Sequence, residues 1–226
     1  MENINYESCQ MCNFELHKSI LIVVSSNDKL IDGSDTGVWL EEFAIPYNAF
    51  TENGYEVTVV SPKGGEVPID PKSLKEGFEN AKNALKNTKH LHSVDFERYD
   101  ALILPGGHAP MFDLCNNETL GKIINCFSRK NKLIGAICHG PAGLLSAPDF
   151  IKGKKLTCLT NEEEHYNNTE NQIPFYLEDA LKNLGAEFVQ GGIGEVNIVK
   201  DENLITAQNY QSTDAFTREI IKSLGA

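Results

Sequence analysis

Short apolar runs alternate with longer segments of mixed polarity along most of the chain, and this pattern predicts the fold. Several runs have the length and aliphatic composition of buried strands; they lie at residues 19–24, 55–60, 99–104, 132–137, 154–159 and 186–189. Helical patterns lie at residues 39–53, 73–88, 120–127, 175–184 and 213–224, and a hairpin is predicted at residues 196–207. The alternation is typical of an α/β sandwich with a mostly parallel central sheet and helices on both faces, as in flavodoxin-like folds.

The composition is that of one globular unit, and we predict a single domain over residues 1–226. With 226 residues, 41% of them hydrophobic, the chain can bury a substantial core. Residues 1–18 are polar and acidic, without the pattern of a secretory signal, and are expected to form a peripheral or poorly structured extension. No apolar run approaches the roughly 18–20 residues of a membrane span, which argues against a membrane partner. The net charge of −12 argues against nucleic acid, whose phosphates require a cationic surface.

The cysteines indicate a reducing compartment, and we expect a cytoplasmic protein. They are scattered over the chain, unlike the dense framework of a small secreted domain. Cys9 and Cys12 form a lone pair that is only weak evidence for metal or redox chemistry. Residues 117–119 and 167–169 match the glycosylation sequon but, without a signal peptide, are expected to be idle surface loops. Core or partly buried thiols are expected at Cys115, Cys126 and Cys158.

The strongest chemical signal is Cys138, which lies where an apolar strand turns abruptly into a predicted helix. Residues 132–137 form the strand, and Gly140 and Pro141 suit the tight turn and the first helical turn that follow. This arrangement is the thiol counterpart of the nucleophile elbow, which presents a side chain beside backbone N–H groups that can hold an oxyanion. A free cysteine can equally be a small buried hydrophobe. The neighbouring His139 favours the nucleophile.

Several polar segments follow predicted strands and are expected to meet at one edge of the sheet. Ligands of open parallel sheets bind beyond the carboxyl ends of the strands. Gly106 and Gly107 suit a loop whose N–H groups approach a ligand, so an oxyanion role competes with that of an ordinary turn. His108 is expected either to face the substrate or to make a single loop hydrogen bond. The segments concerned are residues 25–27, 105–107, 138–139 and 160–162.

Two groups of acidic residues add candidate proton donors and acceptors. Glu41 and Glu42 lie early in an unusually apolar helix, where an inward-facing carboxyl would have a raised pKa and could carry a proton at neutral pH. A surface role next to the positive helix end is the alternative. Residues 162–164 are three consecutive glutamates, which suit a helix start capped by Thr160 or Asn161, or an acid that orients His139.

With these residues assembled, the sequence resembles the ThiJ/PfpI superfamily, which has the class I glutamine amidotransferase-like fold. The resemblance extends from about Ser19 to the C-terminus. It places the glutamate of the first-helix motif at Glu42 and the acid of the triad at Glu164, within one or two residues. The segments that carry the resemblance are residues 36–47, 61–65, 70–73, 105–114, 136–141 and 160–164.

The resemblance implies a glutathione-independent glyoxalase that converts 2-oxoaldehydes, chiefly methylglyoxal, into D-lactate. Cys138 would be the nucleophile, with His139, Glu42 and Glu164 as its acid–base partners and with Gly106, Gly107 and His108 binding the oxyanion or the substrate. No cofactor and no metal are expected, and the partner is a small 2-oxoaldehyde. A homodimer is also expected.

Other functions remain open at this point. Repair of glycated protein or nucleotide begins from the same thiol adduct. A cysteine peptidase or amidase would use the same Cys–His–acid set, although amide cleavage does not need a neutral carboxyl beside the thiol. A holdase chaperone would need an exposed apolar patch, for instance at a dimer face. A peroxide sensor would need only an oxidisable thiolate.

Overall fold

A seven-stranded sheet forms the centre of the computed structural model, which describes residues 18–225. Its order is β3-β2-β1-β4-β5-β9-β8, with every neighbouring pair parallel except β8 and β9. β6 and β7 form a separate parallel pair. The strands are β1 Ser19–Val23, β2 Glu56–Ser61, β3 Lys89–His90, β4 Ala101–Leu104, β5 Leu133–Ile137, β6 Lys155–Leu156, β7 Glu187–Phe188, β8 Ile198–Asp201 and β9 Leu204–Ala207.

Helices cover both faces of the sheet. The longest are α1, α4 and α8, and a 3₁₀ segment, Gly140–Ser146, follows β5 where the sequence predicted the start of a helix. The helices are α1 Leu40–Glu52, α2 Glu79–Leu85, α3 Pro110–Asp113, α4 Glu118–Arg129, α5 Pro148–Ile151, α6 Asn161–Asn167, α7 Leu177–Asn183 and α8 Thr213–Leu224. Among the described helices, none is long and apolar enough to cross a membrane.

The central strands are buried on both sides because successive side chains point to opposite faces. In β1, Leu21 and Val23 belong to the core beneath α4, whereas Ile20 and Ile22 belong to the core beneath α1 and α8. This two-sided burial explains why the strands are continuous apolar runs in the sequence. It confirms the predicted α/β fold with a mostly parallel sheet between helices, and the hairpin and the C-terminal helix are also found where they were predicted.

The helix predicted at residues 73–88 is wrong over its first half. The chain forms a 3₁₀ turn at Pro71–Ser73 and enters α2 only at Glu79. Gly77 has φ +86° and Phe78 has φ +60°, a left-handed conformation that an α-helix excludes. Leu74, which the predicted helix would have buried, is 59% exposed.

The strands predicted at residues 154–159 and 186–189 shrink to two residues each and do not join the central sheet. The hairpin occupies the edge beside β5 that they would have used, because β9 pairs with β5 on one side and β8 on the other. The Thr157 N–H therefore donates to the side-chain oxygen of Thr206 (2.9 Å). The expectation for the N-terminal extension falls on residues outside the described range up to residue 17, as do Cys9 and Cys12.

Candidate active site

Cys138 lies at the sharp turn between β5 and the following 3₁₀ segment. Its φ of +59° is unusual for a residue with a side chain, and such strain is found where a fold holds a side chain for function. The turn is held on both sides, because the Cys138 N–H donates to Ala207 O (2.9 Å) and its carbonyl accepts from Leu159 N (3.0 Å). Gly140 permits the turn, since a Cβ there would lie 2.0 Å from Leu104 O. The geometry is that of a nucleophile elbow.

His139 connects the thiol to an acid. Its Nδ1 lies 3.4 Å from Cys138 Sγ, and its Nε2 lies 2.6 Å from Glu164 Oε1. With the proton on Nε2 donated to this carboxylate, Nδ1 presents a lone pair to the thiol. His139 can therefore accept the proton that the thiol loses when it attacks a carbonyl carbon.

The three consecutive glutamates have three different environments. Glu163 closes the capping box of α6 with Thr160, so its carboxylate stabilises the helix start. Glu162 is exposed and accepts from Gln190 (3.1 Å). Only Glu164 of the three reaches His139. Successive residues of a helix point about 100° apart, so the three glutamate side chains face different neighbours.

Glu42 approaches the thiol from the side of α1 and is fully buried. Its Oε2 accepts from the Gly106 N–H (3.0 Å), and its Oε1 has no hydrogen-bond partner among the described residues. A Cβ at position 106 would lie 2.6 Å from this carboxyl and 2.8 Å from Cys138 Cβ, so the close approach requires glycine. The preceding Glu41 instead forms an ion pair with Lys75 near the surface.

Burial gives Glu42 an unusual pKa. It raises the pKa of this carboxyl to about 8, against the lowering effect of the Cys138 and Gly106 hydrogen bonds. Burial, followed by the Glu42 carboxylate, also raises the pKa of the Cys138 thiol well above its usual value. At neutral pH the pair is therefore a thiol beside a carboxylic acid. Because a protonated Glu42 no longer repels the thiolate, the two groups titrate as a pair.

Glu164 has the opposite character. Burial would raise its pKa, but the imidazoles of His139 and His108 hold it well below the usual range of a glutamate. The hydroxyl of Thr169 also donates to its Oε2. Burial, and then the neighbouring His108, lower the pKa of His139. Glu164 is therefore a carboxylate at neutral pH, and His139 is a neutral imidazole able to act as a base.

His108 completes this side of the site. Its Nε2 lies 3.3 Å from Glu164 Oε2, and its ring packs against that of His139 with a centroid distance of 4.1 Å. Ligand atoms of His108, His139 and Glu164 all lie within 4.8 Å of one another, so these side chains could also hold a metal ion. Imidazole and carboxylate ligands of this kind suit zinc.

A cavity of about 350 Å³ opens above the thiol. Its buried lining includes Cys138, His139, Glu42 and Gly107. Its remaining lining is Trp39, Lys72, His108, Leu159, Asn167, Thr169 and Tyr210. The elbow, His139 and Glu42 therefore meet at one accessible space, while Glu164 contacts His139 without lining the cavity.

The comparisons with known proteins agree with this geometry. A model of the DJ-1/PfpI family matches residues 34–223. The chain belongs to this family. The matched residues include Cys138 at the elbow, the acids Glu42 and Glu164, and the glycines Gly106 and Gly107.

Several relatives cover nearly the whole chain. The glutathione-independent glyoxalase hsp3101 of Schizosaccharomyces pombe is 28% identical over 84% of this chain and 88% of its own. The protein/nucleic acid deglycase 2 of Escherichia coli is 32% identical over 82% of this chain and 91% of its own. The crystal structure of glyoxalase III from Candida albicans superposes with a TM-score of 0.81 at 26% identity, covering 91% of this chain and 97% of that one.

Some site residues of this DJ-1/PfpI chain were not foreseen from its sequence. Thr169 belongs to the sequon that was expected to be an idle surface loop, but it is buried and donates to Glu164. Trp39, Lys72 and Tyr210 line the cavity without any role having been predicted for them. Trp39 and Lys72 lie inside segments that carried the resemblance, which was the available signal.

Ser25 and the other described cysteines do not line the cavity. Ser25 follows the carboxyl end of β1, but its hydroxyl donates to Asp113 of α3 (2.5 Å). The other described thiols are buried or partly buried as predicted, at Cys115, Cys126 and Cys158.

Proposed function

We propose that this protein is a glutathione-independent glyoxalase that converts methylglyoxal and water into D-lactate, with Cys138 as the nucleophile. The observation that carries the proposal is the pair of unlike acids around one thiol: on one side the fully buried Glu42, whose pKa burial raises to about 8, and on the other the His139–Glu164 pair. The names of the yeast relatives point to the same reaction.

In the first step, Cys138 Sγ adds to the aldehyde carbon. The thiol proton moves to His139 Nδ1, which faces the sulfur, and the Glu164 carboxylate stabilises the imidazolium that forms. The N–H groups of Gly107 and of the elbow hold the developing oxyanion. The Gly106 N–H does not take part directly, because it donates to Glu42. The product is a hemithioacetal.

In the second step, the hydrogen on the former aldehyde carbon leaves as a proton and a proton arrives on the neighbouring carbon. The aldehyde carbon is thereby oxidised by two electrons and the ketone carbon is reduced by two, so no external oxidant is needed. Glu42 first gives its proton to the oxyanion of the hemithioacetal, and the carboxylate that remains removes the proton from the former aldehyde carbon and delivers it to the neighbouring carbon, while the hydroxyl proton passes to the former ketone oxygen. A pKa of about 8 suits this exchange near neutral pH. The result is a thioester of lactate.

In the last step, water attacks the thioester and releases lactate and the thiol. His139 activates this water, and the same oxyanion contacts operate again. The cavity above the thiol admits the water. We place the reaction in the cytoplasm, as expected from the cysteine usage, and we expect the enzyme to be a homodimer.

Repair of glycated side chains is the second candidate. It begins from the same attack on a sugar-derived or aldehyde-derived carbon, and the E. coli relative is named a protein/nucleic acid deglycase. A cysteine peptidase is less well supported, because amide cleavage gives no role to a protonated carboxyl beside the thiol.

The decisive experiment measures D-lactate formed from methylglyoxal without glutathione, using a chiral assay. The wild type is expected to form it and Cys138→Ala is not. A wild type that consumes methylglyoxal without forming lactate would end the glyoxalase proposal, and an active Cys138→Ala would end the nucleophile assignment. Release of free arginine from a methylglyoxal-treated arginine derivative, followed in parallel, separates the deglycase alternative.

A further inference from the structure

The cavity is large for a three-carbon aldehyde. Its volume of about 350 Å³ falls within the ~300–1,000 Å³ range of sites that enclose drug-sized ligands. Its reacting groups, Cys138, His139 and Glu42, are buried, whereas Lys72 and Tyr210 of its lining are exposed. The space farther out can therefore hold a substituent on the substrate.

An aromatic wall borders this outer space. The rings of Trp39 and Tyr210 stack with a centroid distance of 5.5 Å and an angle of 29°, and Tyr210 is 46% exposed. The indole N–H of Trp39 is buried and has no hydrogen-bond partner among the described residues. An exposed aromatic face at the mouth of a cavity suits a planar group on the ligand.

The cavity also contains one lysine, Lys72, among otherwise acidic or neutral lining residues. No ion pair involves the Lys72 ammonium group within residues 18–225, although many other lysines of this acidic chain are paired. An unpaired cation at a cavity mouth attracts a negatively charged ligand group.

The backbone of Lys72 is held near the start of α1, the helix that contains Glu42. Its N–H donates to the side chain of the buried Asp70 (2.9 Å), and the next residue, Ser73, accepts from the N–H of Leu40 at the start of α1 (2.9 Å). The same end of α1 contributes Trp39 and Glu42 to the cavity. Lys72, Trp39 and Glu42 are therefore held together by the contacts at the start of α1.

We propose that the preferred substrates are 2-oxoaldehydes whose carbonyl pair is attached to a planar group with a negative charge. The planar group would pack against Trp39 and Tyr210, and the anion would lie at Lys72. This inference rests on the proposed function and specifies its substrate class. The reaction balances as before: the aldehyde and one water give the 2-hydroxy acid, with one carbon oxidised and its neighbour reduced.

The test compares phenylglyoxal with 4-carboxyphenylglyoxal, two probes that differ in one carboxylate. Wild type is expected to show a kcat/KM roughly 2–5-fold higher for the carboxylate, the range expected of an exposed ion pair. In Lys72→Met this ratio should fall to about one, whereas Lys155→Met, which removes an exposed lysine at β6, should keep it. In Tyr210→Leu, kcat/KM for phenylglyoxal should fall relative to methylglyoxal.

The outcomes separate the two hypotheses. A wild type that converts none of the three aldehydes contradicts the proposed function itself. A wild type that converts them with a carboxylate ratio of one or less, or a ratio that survives in Lys72→Met, overturns only this inference. If Lys72→Met does not fold, 0.5 M NaCl replaces it as the test: screening should reduce the wild-type ratio towards one, and an unchanged ratio overturns the inference.

Discussion

The two sides of the candidate site contain the same type of residue in opposite states. Glu42 and Glu164 each lie in the first turn of a helix, and each is almost completely buried, with 0% and 2% of its surface exposed. Burial raises the pKa of Glu42 to about 8, while the pKa of Glu164 lies well below its usual range. Burial alone therefore does not determine whether a buried glutamate is charged.

Their neighbours make the difference. Glu42 accepts from the Gly106 N–H and forms no ion pair within residues 18–225, so the cost of desolvating the charged form prevails. Glu164 has two imidazoles and the Thr169 hydroxyl around its oxygens, and these contacts offset the same cost. One acid can thus supply a proton while the other orients a base.

The largest expected effect is that of removing the Cys138 thiol, which lies between Glu42 and His139. Cys138→Ala should reduce turnover of methylglyoxal by about 10³-fold or more, because neither acid has a nucleophile to act upon. Lactate formation checks this, with circular dichroism to verify the fold. Cys126→Ala removes another buried thiol and should retain activity while losing some stability. Equal loss in both variants would mean that Cys138 has only a packing role.

Glu42→Gln should reduce kcat by about 10²–10³-fold, because the amide cannot exchange a proton at neutral pH. Glu41→Gln is the matched control: the residue lies one position earlier on α1, faces Lys75 and should remain active. Steady-state kinetics on both variants provides the measurement. If both behave alike, or Glu41→Gln is the inactive one, the assignment of the proton donor is wrong.

Glu164→Gln should reduce kcat by about 10–100-fold, less than the change at Glu42, because Glu164 acts on the substrate only through His139. Its pH–rate profile should lose the limb that reports His139, since the amide no longer stabilises the imidazolium. Glu162→Gln, two residues earlier and exposed, should change neither quantity. An unaltered profile in Glu164→Gln would remove this residue from the relay.

The last expected effect is on stability, and its sign differs between the two acids. Glu42 has a raised pKa, so the folded state retains a proton that the unfolded state has lost, and stability falls as pH rises from about 4.5 to about 8. Glu42→Gln should therefore be more stable than wild type above pH 8, by roughly 2–5 kcal/mol.

Glu164 should behave in the reverse way in the same denaturation series. Its lowered pKa stabilises the fold above the usual pKa of a glutamate, and this contribution is lost as pH falls through the folded-state value. Glu164→Gln should thus be less stable than wild type at neutral pH, with the difference shrinking in acid. Urea denaturation between pH 4 and pH 9 measures both variants, and parallel pH dependence would contradict the contrast between the acids.

Local pattern was sufficient for the features that depend on neighbouring residues. Apolar runs buried on both faces identified the central strands, and the glycine and proline after Cys138 identified the elbow. The same reasoning failed at residues 73–88, where spacing suggested a helix but Gly77 and Phe78 adopt left-handed backbone conformations. The spacing of apolar residues does not reveal a left-handed residue that interrupts a helix.

The sequence by itself determined the α/β fold, the elbow and the set of acids available to it, because each follows from side-chain spacing within one segment. Only the tertiary structure decided which acid is protonated, because the pKa of a carboxyl depends on groups that can be distant in sequence. Around Glu164 these groups include His108 and Thr169, which come from different segments of the chain. The tertiary structure also decided the shape of the cavity, where Trp39 meets Tyr210 only after α1 and the segment before α8 have packed together. Side-chain spacing within one segment determines the fold and the elbow, whereas the protonation state of an acid and the shape of the cavity depend on desolvation and on contacts between remote segments.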